Sequence, residues 1–302
     1  MIGSLALAGY AALIGCAVPG RLARARWVQR APRTAVVLWQ ALMVSFVVSL
    51  ALAWYHLPAS GRHLHGLLGG AAEWFDHADD GPAPHGAEGP GVLVPIALTA
   101  LWPAAWFAGV SLQAHRRRRR HAELLDLVGR PAPELRAVVL DHEVPAAYCL
   151  PGRRPRVVLT SGAVQGLTSA QLQAVLAHER AHLTGHHHLA TAAAEGFARA
   201  FPRLPLSRAA RESTAELLEM ICDDRALRSS SPRALADAMC EVAAGGVPRA
   251  AFAAGSAAVL TRLRRLLHPS APLHPALRCG ILLLGLAAAA LPYFMTCGPV
   301  VG

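Results

Sequence analysis

His178-Glu179-Arg180-Ala181-His182 reads H-E-x-x-H within a stretch, 168–184, that favours a helix. Thr168 and Gln171 stand three apart at its start, as a capping box requires. Leu172, Val175, Leu176 and Leu183 recur at helical spacing and form one apolar stripe. Two histidines four apart on such a helix project from one face, one turn above the other. Their imidazoles can grip a single zinc ion, and the glutamate beside the first can act as base toward an attacking water. Zinc lowers the pKa of water toward about 7, which gives a nucleophile at neutral pH. Peptide-bond hydrolysis is the implied chemistry. Three fixed positions in five also arise by chance on surface helices, so the motif gains its weight from the rest of the chain.

Catalytic zinc keeps three protein donors, so a third is needed. Two candidates compete. His182-Leu183-Thr184-Gly185-His186-His187-His188 completes H-E-x-x-H-x-x-G-x-x-H, in which the glycine ends the helix and His188 returns to the metal. Farther on, Glu219-Met220-Ile221-Cys222-Asp223 places two acids four apart on one helical face. One of these acids can ligate while the other accepts the N–H of a ligating imidazole and fixes its tautomer.

Composition points to a membrane protein. Of 302 residues, 54% are hydrophobic, and mean hydropathy is +0.35. Residues 1–20, 34–61, 89–114 and 279–302 carry no Asp, Glu, Lys or Arg. A bilayer crossing takes about 20 apolar residues, so four transmembrane helices are expected. The first lacks the basic start of a cleaved signal peptide. Arg21, Arg24, Arg26, Arg30 and Arg33 follow the first span, and Arg116 to Arg120 follow the third. The loop 58–90 has Arg62 alone against Glu73, Asp76, Asp79, Asp80 and Glu88. Positive residues stay inside. The expected topology puts the N-terminus and loop 58–90 outside a bacterial plasma membrane, and 115 to about 278 in the cytoplasm.

The net charge of +10 comes from 29 basic residues, all of them arginine. Their clusters flank the apolar spans, where topology and anionic headgroups account for them better than direct nucleic-acid binding does. Cys149, Cys222 and Cys240 fall in the cytoplasmic part, where thiols stay reduced, and no C-x-x-C spacing suggests a cysteine zinc site. His63, His65, His77 and His85 sit in the external loop, which reads as a flexible Gly/Pro/His-rich segment.

The region between the third and fourth spans is long enough for one domain. A short helix is expected at 121–128. Strands are expected at 135–141 and 156–160, joined by a turn-rich loop holding Pro145, Pro151, Gly152 and Pro155. The architecture is then mainly α: four transmembrane helices plus a small α+β zincin domain. It divides into a three-helix region 1–114, a cytoplasmic peptidase domain 115–275 and a fourth span with a short tail 276–302. An edge strand can hold extended substrate by backbone pairing, and 157–160 is the candidate for it.

The three N-terminal spans, the strand–loop–strand, Val175-Leu176-Ala177 before the motif, Glu219-x-x-Cys222-Asp223 and the later Arg262-Leu263-Arg264-Arg265-Leu266-Leu267 together resemble the BlaR/MecR-type bacterial membrane metallopeptidases. The resemblance implies a gluzincin-like fold with Zn2+ held by His178, His182 and Glu219, with Asp223 supporting and Glu179 as general base. It implies an endopeptidase in regulated proteolysis, cutting a protein substrate such as a winged-helix transcriptional repressor, or itself. The chain departs from that family in having no penicillin-binding sensor domain after its fourth span, and in carrying His186, His187 and His188 after the motif helix. An HtpX-like or CAAX-type membrane peptidase is a second reading. A receptor-like protein with a non-catalytic zinc site is a third, against which Glu179 speaks. Tyr148, and less so Arg225 and His186, are candidate oxyanion donors.

The arginine asymmetry makes a direct prediction. A reporter fused after Arg120 reads as cytoplasmic and one inserted near Gly81 as external. An external signal from the Arg120 fusion removes every cytoplasmic substrate from consideration.

Overall fold

The computed structural model describes residues 2–69, 90–246 and 252–297. Most of the histidine-bearing loop expected to be external (70–89) and the tail 298–302 lie outside the described residues. Among the described residues, four helical stretches are long and apolar enough to cross a membrane: Leu5–Ala23, Pro32–Trp54, Val94–Val128 and Pro275–Phe294.

The first stretch joins α1 (Ile2–Ala12), a π-helical segment (Leu13–Ala17) and α2 (Val18–Ala23), followed by the single-turn α3 (Trp27–Arg30). Two long helices come next, α4 (Pro32–Gly69) and α5 (Pro90–Val128). The separate helix expected at 121–128 is instead the end of α5. Between His115 and Val128 no Gly or Pro interrupts the chain, and its Arg, Ala, Leu and Glu are strong helix formers, so the helix runs on.

A four-stranded sheet follows: β1 (Arg130–Ala132), β2 (Ala137–Leu140), β3 (Ala147–Leu150) and β4 (Arg156–Thr160). Its order is β1-β2-β4-β3, with β2 and β4 parallel and the outer pairs antiparallel. Sequence reasoning put 157–160 at the substrate edge. The structure corrects this: β4 pairs on both sides, and the free edge beside the motif helix belongs to β3. The four residues of β3 leave no strand signal because the short stretch between Pro145 and Pro151 looks like a turn.

Thr160 caps α6 (Ser161–Gly166), its hydroxyl accepting from Ala163 N. The Thr168–Gln171 capping box opens α7 (Ser169–Thr184) as expected. Leu172, Val175 and Leu176 of α7 pack on Val157 and Leu159 of β4, which fixes the sheet against the motif helix. Then come α8 (His187–Ala200), α9 (Pro205–Ala226), α10 (Pro232–Gly246), α11 (Phe252–Leu267) and α12 (Pro275–Cys297).

The apolar helices and the motif region share one core. Trp39, Leu42 and Phe46 of α4 and Ile14 of the π segment pack with Phe197 of α8 and Leu217, Leu218, Met220 and Ile221 of α9. Phe46 meets Phe197 and Phe201 edge-on at centroid distances of 6.0 and 5.3 Å. Tyr10 and Ser45 both donate hydroxyl hydrogen bonds to Ala288 O, at 2.6 and 2.9 Å, which ties α1, α4 and α12 together. α5 lies against α8, where Gly196 faces the α5 backbone at Phe107.

A Cβ on Gly196 would stand 2.8 Å from both N and Cα of Phe107. Alanine in place of glycine gains about 1 kcal/mol of helix propensity, but overpacking against backbone costs about 1–3 kcal/mol. Gly196→Ala therefore lowers the melting temperature of the detergent-solubilised protein. An unchanged or raised melting temperature contradicts the close approach of α5 and α8.

Candidate metal centre

Three polar side chains meet above α7. The Nε2 atoms of His178 and His182 are 3.3 Å apart. Glu219 places one carboxylate oxygen 3.3 Å from His178 Nε2 and the other 3.2 Å from His182 Nε2. Nitrogen and oxygen donors about 2.0–2.2 Å from a tetrahedral zinc stand roughly 3.3–3.5 Å apart. The spacing and the chemistry of these donors thus fit a metal of the zinc type.

Behind this triangle, His178 Nδ1 lies 3.0 Å from Oδ1 of Asp223, a residue only 1% exposed. A carboxylate beside Nδ1 fixes the ring so that Nε2 faces the site. Arg262 grips the same carboxylate with two nitrogens, at 2.7 and 2.8 Å, and places its third 3.0 Å from Glu219. Arg265 pairs with Asp224 through one nitrogen at 2.7 Å and donates its others to the Gln29 and Met220 carbonyls. The basic run of α11 thus supplies two guanidinium groups to the acidic face of α9. Sequence reasoning noted this run but gave it no part in the site, because a link between residues 223 and 262 has no local signature.

The charge states follow. Burial opposes the protonated form of His178, yet the Asp223 and Glu219 carboxylates outweigh it and raise the imidazole to about 9. Burial would also raise Glu219, but hydrogen bonds from His178 and His182 and the charge of Arg262 hold it far below the usual carboxylate range. Glu179 is lifted above its ordinary value, chiefly by burial, with the two motif histidines pulling the other way. It hydrogen-bonds Cys149 on β3, and burial next to Glu179 pushes that thiol up to about 12.

The remaining candidates fall as follows. After α7, Gly185 caps the helix and His186 adopts a left-handed φ of 48°. This conformation is uncommon outside glycine, though histidine tolerates it better than most. The chain therefore turns at once into α8. His187, not His188, folds back: its Nδ1 is 3.3 Å from His182 Nδ1. A Cβ on Gly185 would fall on the His187 ring, so the glycine makes room for that ring. His188 stacks edge-on with His186 at 6.1 Å and is not brought to His178 or His182. Burial and the neighbouring His182 lower His187 to about 4, so its ring is neutral.

Cys222, for which no metal role was expected, lies within a donor cluster with His178 and His182, all ligand atoms within 4.8 Å of one another. Its Sγ is 3.3 Å from His187 Nδ1. Tyr148 points away from the site, its hydroxyl 2.7 Å from His121 Nε2. Arg225 acts on His187 only through its charge. A cavity of about 480 Å³ opens beside the triangle, walled by His182, Glu219 and Cys149 and by Arg118 of α5.

Residues 111–220 match the model of peptidase family M48, a zinc metallopeptidase family. The stretch takes in the sheet, His178, Glu179, His182 and Glu219. Plastoglobule-localized metallopeptidase 48, chloroplastic, of Arabidopsis thaliana is 44% identical over 68 residues, an alignment covering 22% of this chain and 18% of that relative. No solved structure matches significantly. The family that these comparisons name is M48 and not the BlaR/MecR type.

Removing one partner of a buried ion pair costs about 3–5 kcal/mol. Arg262→Gln leaves the sealed Asp223 with His178 as its remaining partner, so unfolding midpoints in denaturant fall steeply, while Arg264→Gln on the same helix changes them little. Equal effects from the two substitutions contradict the assigned network.

Proposed function

We propose that this chain is an integral-membrane, zinc-dependent endopeptidase whose metal ligands are His178, His182 and Glu219 and whose general base is Glu179. The observation that carries the reading is the triangle of two Nε2 atoms and one carboxylate at 3.2–3.3 Å, with Glu179 on the adjoining helical position. The M48 match over 111–220 supports peptidase chemistry independently of that geometry. In the proposed organisation, 1–114 is a three-helix region of a bacterial plasma membrane with an external loop 58–90, 115–275 forms the cytoplasmic peptidase region, and 276–302 is the fourth span with a short external tail.

Zinc, when bound, supplies Lewis acidity to water and to the scissile carbonyl. Glu179 takes the proton of the attacking water and passes it to the leaving amine nitrogen. Its raised pKa brings it nearer the working pH, where a general base is most effective. Asp223 holds the His178 tautomer, and Arg262 aims both Asp223 and Glu219. β3 offers its unpaired edge to an extended substrate beside Cys149.

The substrate is a cytoplasmic or membrane-proximal protein. Regulated proteolysis of a winged-helix repressor is the role implied by the BlaR/MecR resemblance. A processing or quality-control role of the HtpX or CAAX kind stands beside it as the second reading. Trapping uncut proteins on the Glu179→Gln variant in membranes separates them: a small DNA-binding repressor supports the first, and a spread of membrane proteins the second.

Zinc content and hydrolysis of purified variants test the site. Glu179→Gln keeps about one zinc per chain and loses hydrolysis. Glu219→Gln sharply weakens zinc binding, because a neutral amide replaces an anionic oxygen. Asp223→Ala costs about 10–100-fold in affinity or activity. His188→Ala and Cys222→Ser keep the metal. Zinc lost from Cys222→Ser and retained by Glu219→Gln overturns the ligand assignment, and full hydrolysis by Glu179→Gln overturns the mechanism.

A further inference from the structure

We propose that the arginine-lined cleft between the end of α5 and the β3–β4 turn receives an acidic segment of the peptide substrate, with Arg118 standing where this cleft joins the metal-site cavity. The inference rests on the peptidase reading and names the substrate class of that site.

The cleft measures about 830 Å³ and is walled by Arg118 and Arg119 on one side and by Arg153, Arg154 and Arg156 on the other. It contains two acids, and both are engaged. Glu123 pairs with Arg119 at 3.1 Å, and Asp126 pairs with Arg156. No ion pair satisfies Arg118, Arg153 or Arg154 among the described residues. Buried and without a hydrogen-bond partner, the Nε of Arg118 is an unmet donor. The cleft therefore holds a surplus of guanidinium groups, the side chain best suited to bidentate carboxylate binding.

Its position gives that surplus a use. Arg118 and Pro151 line this cleft and also the cavity holding His182, Glu219 and Cys149. β3 ends at Leu150, and the chain runs on through Pro151 to Arg153 and Arg154. An extended peptide paired along β3 covers the distance from Cys149 to Arg153 in roughly 13 Å, at about 3.3 Å per residue. Acidic side chains a few positions from the scissile bond then reach the arginines.

A lipid headgroup would offer similar charge. The apolar part of α5 ends at Ala114, and Asp126 lies 12 residues beyond it, about 18 Å along a helix at 1.5 Å per residue. The headgroup layer is only about 5–8 Å deep, so Arg154 and Arg156, next to Asp126, stand beyond it. Continuity with the metal-site cavity also favours a peptide.

The test uses the full chain carrying Glu179→Gln, in nanodiscs of neutral phosphatidylcholine. Binding is read by fluorescence anisotropy with two short labelled peptides, one bearing a run of Glu and its twin a run of Gln. The Glu peptide binds at least about tenfold more tightly, and added salt narrows the gap. Arg118→Gln, and Arg153→Gln with Arg154→Gln, bring it to the level of the twin. Arg153→Glu with Arg154→Glu transfers the preference to a Lys peptide, which a merely misfolded variant does not do.

Equal affinities for the twins in the parent protein overturn the proposal, as does a Glu preference that survives the arginine substitutions. So does loss of the preference when phosphatidylglycerol replaces part of the neutral lipid, which makes the cleft a headgroup site. Hydrolysis by the unmodified chain is measured separately on the same peptides. Acidic-peptide binding without hydrolysis sinks the peptidase reading and leaves the cleft, whereas hydrolysis of both twins with equal kcat/KM sinks the cleft alone.

Discussion

The carboxylate of Asp223 is sealed between an imidazole and a guanidinium. Taking a carboxylate out of water costs several kcal/mol; Arg262 meets both of its oxygens and His178 adds a second contact at Oδ1. His178 belongs to α7, Asp223 to α9 and Arg262 to α11, so this one charge ties three helices at a point. Buried ion networks add little net stability compared with apolar packing. What they do well is fix rotamers, and a donor triangle with edges of 3.2–3.3 Å needs fixed rotamers. The same Arg262 reaches Glu219, so the group that neutralises the support also aims the neighbouring carboxylate.

α9 has a second task. Glu219, Cys222 and Asp223 face the candidate metal centre, while Leu217, Leu218, Met220 and Ile221 join the core shared with α1, α4 and α8. The helix is a wall between the candidate site and the apolar bundle, with no linker to separate them. α5 repeats the arrangement. Its apolar length lies against α8 at Gly196, and its basic end forms one side of both the metal-site cavity and the arginine cleft. A movement of either long helix would be felt at the donors, because close-packed contacts transmit displacement.

What could be read from sequence was what is encoded at short range. The capping box, the H-E-x-x-H face and the acids four apart on α9 each depend on spacing within one helix, and four apolar stretches announce themselves by composition. β3 was missed because prolines bracket a strand of four residues, too short for alternation to show. The unbroken α5 was split in the reading because a run of arginines looks like an ending, although arginine is a good helix former. His187, Cys149 and Arg262 were missed for a different reason. Each reaches the centre through a turn, a sheet edge or a distant helix, and no periodicity records such a meeting. Gly185 was read as a possible turn toward His188; its role beside His187 depends on a ring packed against it.

Cys222 shows how far proximity alone can name a ligand. Its sulfur belongs to a cluster with both motif histidines, yet its near contact at 3.3 Å is with His187. Burial, with Glu219 and Asp223 close by, pushes the thiol well above its ordinary range, so it keeps its proton in the metal-free protein. The neutral His187 ring can accept that proton in a hydrogen bond. Glu219 stands in the opposite condition, already ionised and already within one tetrahedral edge of both Nε2 atoms. A metal can deprotonate a coordinating thiol, but to recruit Cys222 it would have to break the contact with His187 and draw the sulfur inward. Glu219 requires neither step. The carboxylate therefore fits the third position better, and the thiol fits a hydrogen bond that orients His187 behind His182.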